Sequence, residues 1–230
     1  MRFMWMTLVG LLMVTPVGAQ SQDAMRQISV EGTGRVAAVP DMAIVQLGVQ
    51  REARDAGSAL SAASEAMTSV LSQIANAGID PQDVQTTGIG LRPVWNHSQD
   101  GSPPRVTGYV ASNDLSVRVE DLDLLGDLLT AVVGEGANTM NGLNFEVTNK
   151  TELEDRARVA AVEDAARKAT VLAEAAGLRL GAVMSLSEGQ QISQPGPMLE
   201  MAMSDRAAVP VAAGQIEITV TVRAVYFLEN

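Results

Sequence analysis

The sequence predicts an α+β fold of two βαββ-like units with largely antiparallel sheet, an added N-terminal strand and a short extra helix. Three observations predict it. Several separate stretches alternate apolar and polar residues, the period of a half-buried strand. Two long segments repeat apolar or small residues at helical spacing and close on Ala77-Gly78-Ile79 and Ala176-Gly177-Leu178. Both halves, about 42–120 and 143–228, run strand, helix, strand, long loop, strand. Strands joined directly in sequence pair antiparallel.

Ile28-Ser29-Val30-Glu31 alternates as a strand, and Ala43, Val45, Leu47 and Val49 mark the next, with Pro40-Asp41 as the turn between them. Helical spacing starts at Asp55 and places Leu60, Ala63, Met67, Val70, Leu71 and Ile74 on one face, until Gly78 supplies a left-handed end. Strands follow at Val84–Leu91 and Tyr109–Glu120, then a leucine-rich helix at Leu122–Val133 and a strand at Leu143–Val147. The longest helix opens on Thr151 with Glu154 three residues on, the spacing of a capping box. Glu152–Arg156, Glu154–Arg158, Glu163–Arg167 and Asp164–Lys168 are spaced for ion pairs along it, a solvated stabilising face. Its packing face is read as Ala157, Ala160, Ala161, Leu172 and Ala176. Val183–Leu186 and a long last strand complete the chain, with Ile216, Ile218, Val220, Val222, Ala224 and Tyr226 facing one way.

Composition excludes more than it assigns. The 230 residues hold no Cys and one His, so disulfides, thiolate metal sites and multi-histidine sites are absent. Acids exceed bases by 27 to 16, a net charge of -11, and aromatics are 3%; nucleic acid is not an expected partner. Residues 1–19 read as a signal peptide: Arg2, an apolar run from Phe3 to Val14, and small residues at Val17 and Ala19. The run is shorter than the roughly 20 residues that span a bilayer, so cleavage between Ala19 and Gln20 is expected, with no membrane span afterwards. The mature chain then divides into an extension at 20–27 and one domain at 28–230.

Gly32-Thr33-Gly34-Arg35-Val36-Ala37 fits the dinucleotide pattern, but a strand follows where a helix N-terminus would be needed; the glycines are expected to permit a bulge or sharp twist. Asp121, Asp123 and Asp127 resemble part of a calcium loop, yet Leu125 and Val132 stand where oxygen ligands belong, so these acids read as the first turn of a helix. His97 falls in a loop-like stretch with no credible triad, and Trp95 beside it is a candidate contact residue. Two long loops, Pro93–Thr107 and Gly189–Gly214, hold Trp95, His97, Met198, Met201 and Met203 and are the expected interaction segments. The three Met could hold Cu(I) or another ligand, or serve as an adaptable contact surface.

Val30-Glu31-Gly32-Thr33-Gly34, Pro40-Asp41-Met42-Ala43, Gly108-Tyr109-Val110-Ala111-Ser112-Asn113, Gly142-Leu143-Asn144-Phe145 and Gly177-Leu178-Arg179-Leu180-Gly181 together resemble the SIMPL-domain family, from about Ile28 to Phe227. The resemblance implies an exported bacterial protein of the periplasm or outer-membrane fraction, similar to stress-associated envelope proteins, some of which form ring- or channel-shaped assemblies. It implies no catalytic residue and no cofactor. The expectation is a non-enzymatic, self-associating periplasmic protein with a second envelope protein as a further partner. The rival readings are a Met-loop Cu(I) or ligand binder and a hydrolase with an unrecognised site. Export itself is checked by intact-mass analysis of the periplasmic protein, which should begin at Gln20; a membrane-bound chain retaining residues 1–19 would contradict it.

Overall fold

The computed structural model describes residues 26–97, 103–189, 192–195 and 209–230; Ala19, Gln20, Met198, Met201 and Met203 lie outside them. Among the described residues, eight strands and three α-helices follow in the order β1 (Gln27–Ala38), β2 (Met42–Ala53), α1 (Ala56–Asn76), β3 (Val84–Asn96), β4 (Arg105–Val119), α2 (Leu125–Gly134), β5 (Thr139–Glu146), α3 (Lys150–Ala175), β6 (Arg179–Glu188), β7 (Ile192–Pro195) and β8 (Ile216–Glu229). They form two antiparallel sheets. Sheet one has the order β3-β4-β2-β5; sheet two has the order β1-β8-β6, with β7 also paired to β8. The α+β expectation holds.

Each sheet closes on its own core. In sheet one, Val45, Leu47 and Val49 of β2 and Leu115, Val117 and Val119 of β4 meet Met67, Val70 and Ile74 of α1 and Leu125, Leu128, Leu129 and Val132 of α2. In sheet two, Ile218, Val220, Val222, Ala224 and Tyr226 meet Leu153, Ala157, Ala161, Ala165 and Ala169 of α3. The inward face read for β8 is therefore correct, with Ile216 half-buried at its edge and packed against the same core.

The pairing redraws the two halves. Strand β5, read as the start of the second half, lies beside β2 in sheet one. Its place in sheet two is filled by β1, which pairs with β8 from Gln27↔Phe227 to Ala38↔Ile216. The two sheets then match: β2-β4-β3 and β1-β8-β6, each with one long helix. Their helix ends match too. Gly78 (φ +85°) and Gly177 (φ +74°) turn left-handed, and the following N–H groups of Ile79 and Leu178 return to the carbonyls of Ile74 and Ala173. Gly136 (φ +114°) ends α2 the same way, with Ala137 bonding back to Val132.

Helix faces are narrower than read. Ala59 joins Ala63, Met67, Val70 and Ile74 in the core, while Leu60 and Leu71 are exposed. In α3 the buried stripe is Leu153, Ala157, Ala161, Ala165, Ala169 and Ala173, and Leu172 is 52% exposed. A strict every-fourth row is inclined by about 26° to the helix axis, so a helix crossing its sheet obliquely buries that row. The capping box is not used either. Helix α3 begins at Lys150, one residue before Thr151, and its N-cap Asn149 makes no side-chain cap bond.

Gly32 and Gly34 do not form a bulge, since β1 pairs with β8 in unbroken register. They are where α3 lies on the strand. A Cβ at Gly32 would overlap the Ala161 carbonyl and stand 2.6 Å from Ala165 N; one at Gly34 would overlap the Ala157 carbonyl. Small residues on both sides let two backbones touch. Hydrogen bonds fix that contact: Thr33 N–H donates to Asp164 Oδ2 at 3.0 Å, and Lys168 Nζ donates to the Glu31 carbonyl at 2.9 Å. Asp164 also pairs with Lys168 at 2.7 Å and with Arg167. Lys168, the Thr33 N–H and Arg167 together hold the Asp164 carboxyl well below the usual carboxylate range. Two charges read as a solvated face are thus fastened to β1.

Gly32→Ala and Gly34→Ala should each destabilise by about 1–3 kcal/mol through overpacking. Gly142→Ala, where a Cβ meets nothing within 4 Å, should stay within about 0.5 kcal/mol. Urea unfolding checks both, and equal losses at all three sites would refute the close-contact role.

Candidate interaction surface

The segment read as a loop at Pro93–Thr107 is strand at both ends, over 93–96 and 105–107. Strand β3 continues to Asn96 and β4 begins at Arg105, with Trp95 opposite Val106 and Asn96 opposite Arg105. Pro93 stands on an edge strand, where a residue with no backbone N–H is tolerated. Strand β2 ends at Ala53, opposite Tyr109, so the hairpin beyond Tyr109 projects past the rest of sheet one as a two-stranded arm. Trp95 is 52% exposed, and His97 is exposed just beyond the end of β3. Ile89 and Leu91, which sequence reading left unmarked, are exposed on the same strand. Their signal is the alternation Gly88-Ile89-Gly90-Leu91, apolar residues on a strand with nothing large between them. In the second predicted loop, β7 continues the edge of sheet two; Met198, Met201 and Met203 fall outside the described residues, so the structure places none of them beside Trp95 or His97.

A different surface lies at the opposite end of sheet one. Where β1 passes into β2 and β4 into α2, Pro40, Asp41, Glu120, Asp121, Leu122 and Asp123 line a shallow cleft. Two of its acids have structural bonds. Asp121 accepts the Asp123 N–H at 3.0 Å and caps the short 3-10 turn Leu122–Leu124 ahead of α2, which agrees with the helix-start reading. Asp41 accepts from both the N–H (2.8 Å) and the hydroxyl (2.6 Å) of Thr148, and its own N–H donates to the Glu146 carbonyl at 3.1 Å. The chain between the sheets crosses here twice, at Val39–Asp41 and Val147–Asn149, so this carboxylate ties the two crossings together. The Thr148 hydroxyl draws the Asp41 pKa below its ordinary value.

An apolar groove beside α2 is lined by Leu47, Val132, Val133, Ala137, Asn138, Thr139 and Met140. Its amide is already engaged, since Asn138 exchanges two hydrogen bonds with the Gln50 backbone. Among the described residues, no three His, Cys, Asp or Glu side chains are grouped to hold a metal ion, and no helix is long and apolar enough to cross a membrane.

A family profile described as SIMPL, protein of unknown function (DUF541), matches residues 28–226. The 26 kDa periplasmic immunogenic protein of Brucella melitensis is 37% identical over 223 residues, 92% of this chain and 89% of its own. The uncharacterized protein YggE of Escherichia coli is 30% identical over 215 residues, 93% of this chain and 86% of its own. YggE of Edwardsiella ictaluri is 29% identical over 188 residues, 82% and 78% of the two chains. The arm and the acidic end both lie inside the matched span.

Because folding lowers the Asp41 pKa, the stability it adds is present above the unfolded value of about 3.9 and is lost as pH falls through the folded value. The stability difference between wild type and Asp41→Asn should therefore shrink as pH drops below about 4. Urea midpoints across pH 2.5–7 measure it, and a difference independent of pH would refute the linkage.

Proposed function

The chain belongs to the SIMPL family, and from that footing we propose that it is an exported, non-enzymatic protein of the periplasmic envelope that acts by assembling with itself. The observation that carries this reading is the β3–β4 arm. Trp95 and Val106 are exposed on the projecting hairpin, and Ile89 and Leu91 are exposed on the same edge strand where it still pairs within sheet one. Exposed apolar residues that follow one edge strand out into its projecting hairpin mark a contact surface. The periplasmic relative that aligns over most of both chains supports the location. The absence of Cys and the single His, exposed beyond a strand end, support a role in binding rather than in nucleophilic chemistry.

Light scattering of the purified mature protein across concentration tests the reading, with a mass above one chain expected. A monomer at every concentration would overturn it. His97→Ala should leave that mass, the fold and any cellular phenotype unchanged; loss of phenotype from this substitution alone would reopen the enzyme reading.

A further inference from the structure

We propose that Asn141 is a site of spontaneous deamidation, and that the carboxylate left behind unseats the start of β5 from β2. Asn141-Gly142 is the one Asn-Gly pair in the chain. An asparagine side chain loses its amide when the backbone nitrogen of the next residue attacks the side-chain carbonyl. Glycine, with no Cβ, is the follower that obstructs this attack least. A regular strand ladder holds the two groups apart, but at this position the ladder is interrupted.

The interruption is a bulge. Gly142 lies opposite Gln46 and Met140 opposite the next residue, Leu47, so Asn141 is the extra residue with no partner on β2. Strand β5 is an end strand, so no described strand pairs with its other side. Asn141 is exposed, and a Cβ at Gly142 would meet nothing within 4 Å, which leaves room for the side chain to swing over the Gly142 nitrogen. Ring closure forms the bond from Asn141 Cγ to Gly142 N and breaks the bond to Nδ2. The N–H proton goes to solvent, and Nδ2 takes a proton from solvent and leaves as ammonia. Water then opens the succinimide at either carbonyl, giving aspartate or isoaspartate at 141.

The surroundings give the product a structural effect. Asn141 Nδ2 donates to Asp114 Oδ1 at 3.4 Å. The two side chains meet beside Gly48 of β2, where a Cβ would overlap Asp114 Oδ1 and stand 2.7 Å from Thr139 Oγ1. Deamidation replaces the donor with a second carboxylate and sets two like charges against each other on one face of the sheet. Isoaspartate also routes the main chain through the side chain, adding one carbon to the strand within its own bulge. On either side β5 is held, by Asn138 bonded twice to the Gln50 backbone and by Leu143 and Phe145 packed against the core. The displacement therefore falls on Thr139–Gly142, which includes Met140 of the apolar groove, and it bares the edge of β2 at Leu47 and Gly48.

Peptide mass spectrometry tests the chemistry. Folded wild type held at about pH 8 and 37 °C should gain about 1 Da at Asn141, while Asn138, Asn144 and Asn149 on the same tryptic peptide, 119–150, stay unchanged. The rate should be at least a hundredth of that in urea, more than an unfolded fraction of about one in a thousand or less supplies. Gly142→Ala should slow it about tenfold or more, and Asn141→Gln should abolish it. A folded rate below a hundredth of the urea rate, or one that Gly142→Ala leaves unchanged, would overturn the site. Ion exchange separates the aged protein by its added negative charge. Its amides at Thr139–Gly142 and Leu47–Gly48 should exchange hydrogen at least tenfold faster than in fresh protein, with α3 and β8 unchanged, and Asn141→Asp should reproduce the change. Equal exchange in aged and fresh protein would overturn the unseating of β5.

Discussion

The second sheet depends on one contact, the backbone of α3 lying directly on β1. Gly32 and Gly34 remove the side chains that would hold helix and strand apart, and the alanine row from Ala157 to Ala173 removes those on the other side. Alanine contributes little apolar area per residue, so this half of the protein gains stability from closeness rather than from bulk. Dispersion falls steeply with separation, and even a methyl group at either glycine would open the whole row. Hydrogen bonds from Thr33 to Asp164 and from Lys168 to Glu31 then lock the helix in register on the strand.

Those same bonds close an exposed edge. Strand β1 is the end strand of sheet two, and its outward N–H at Thr33 and C=O at Glu31 would otherwise offer a template for another strand. An acid and a base four residues apart on α3 satisfy one donor and one acceptor at once. Sheet one closes the equivalent side with a whole strand, β5 beside β2. The two sheets thus share a plan but end differently on that side, and at the other end of sheet one the edge strand is β3, which carries the arm.

Much of this fold is legible in the sequence where burial alone sets the pattern. The alternation of β8 and the leucine row of α2 report directly on one covered face, and the left-handed glycines Gly78 and Gly177 mark helix ends because no other residue enters that conformation cheaply. What the sequence conceals is which layer an element joins. Strand β5 carries the same alternation in either sheet, and nothing local shows that β1 replaces it in the second. Gly32 and Gly34 read as strand irregularities because their reason lies on a helix more than a hundred residues away. The candidate surface was half legible: Trp95 stood out by its size, whereas Ile89 and Leu91 were hidden in a strand pattern that normally signals core. The acidic end was read correctly as a helix start, but its closeness to Asp41 and Thr148 exists only after the sheets have formed.

The pairing of β1 with β8 also orders events in time. Sheet one draws all its strands and both its helices from one continuous stretch, Met42 to Glu146, and can close as soon as that stretch is available. Sheet two cannot, because its first strand emerges at the beginning of the chain and its central strand at the very end. The entropy of closing so long a loop grows only slowly with length, yet the search is slow because nearly all of its contacts are distant in sequence. Until β8 arrives, β1 and the alanine face of α3 have no sheet to complete. The second half is therefore the last part to fold and the part most dependent on synthesis being finished, so a chain truncated before Ile216 would keep one sheet and lose the other.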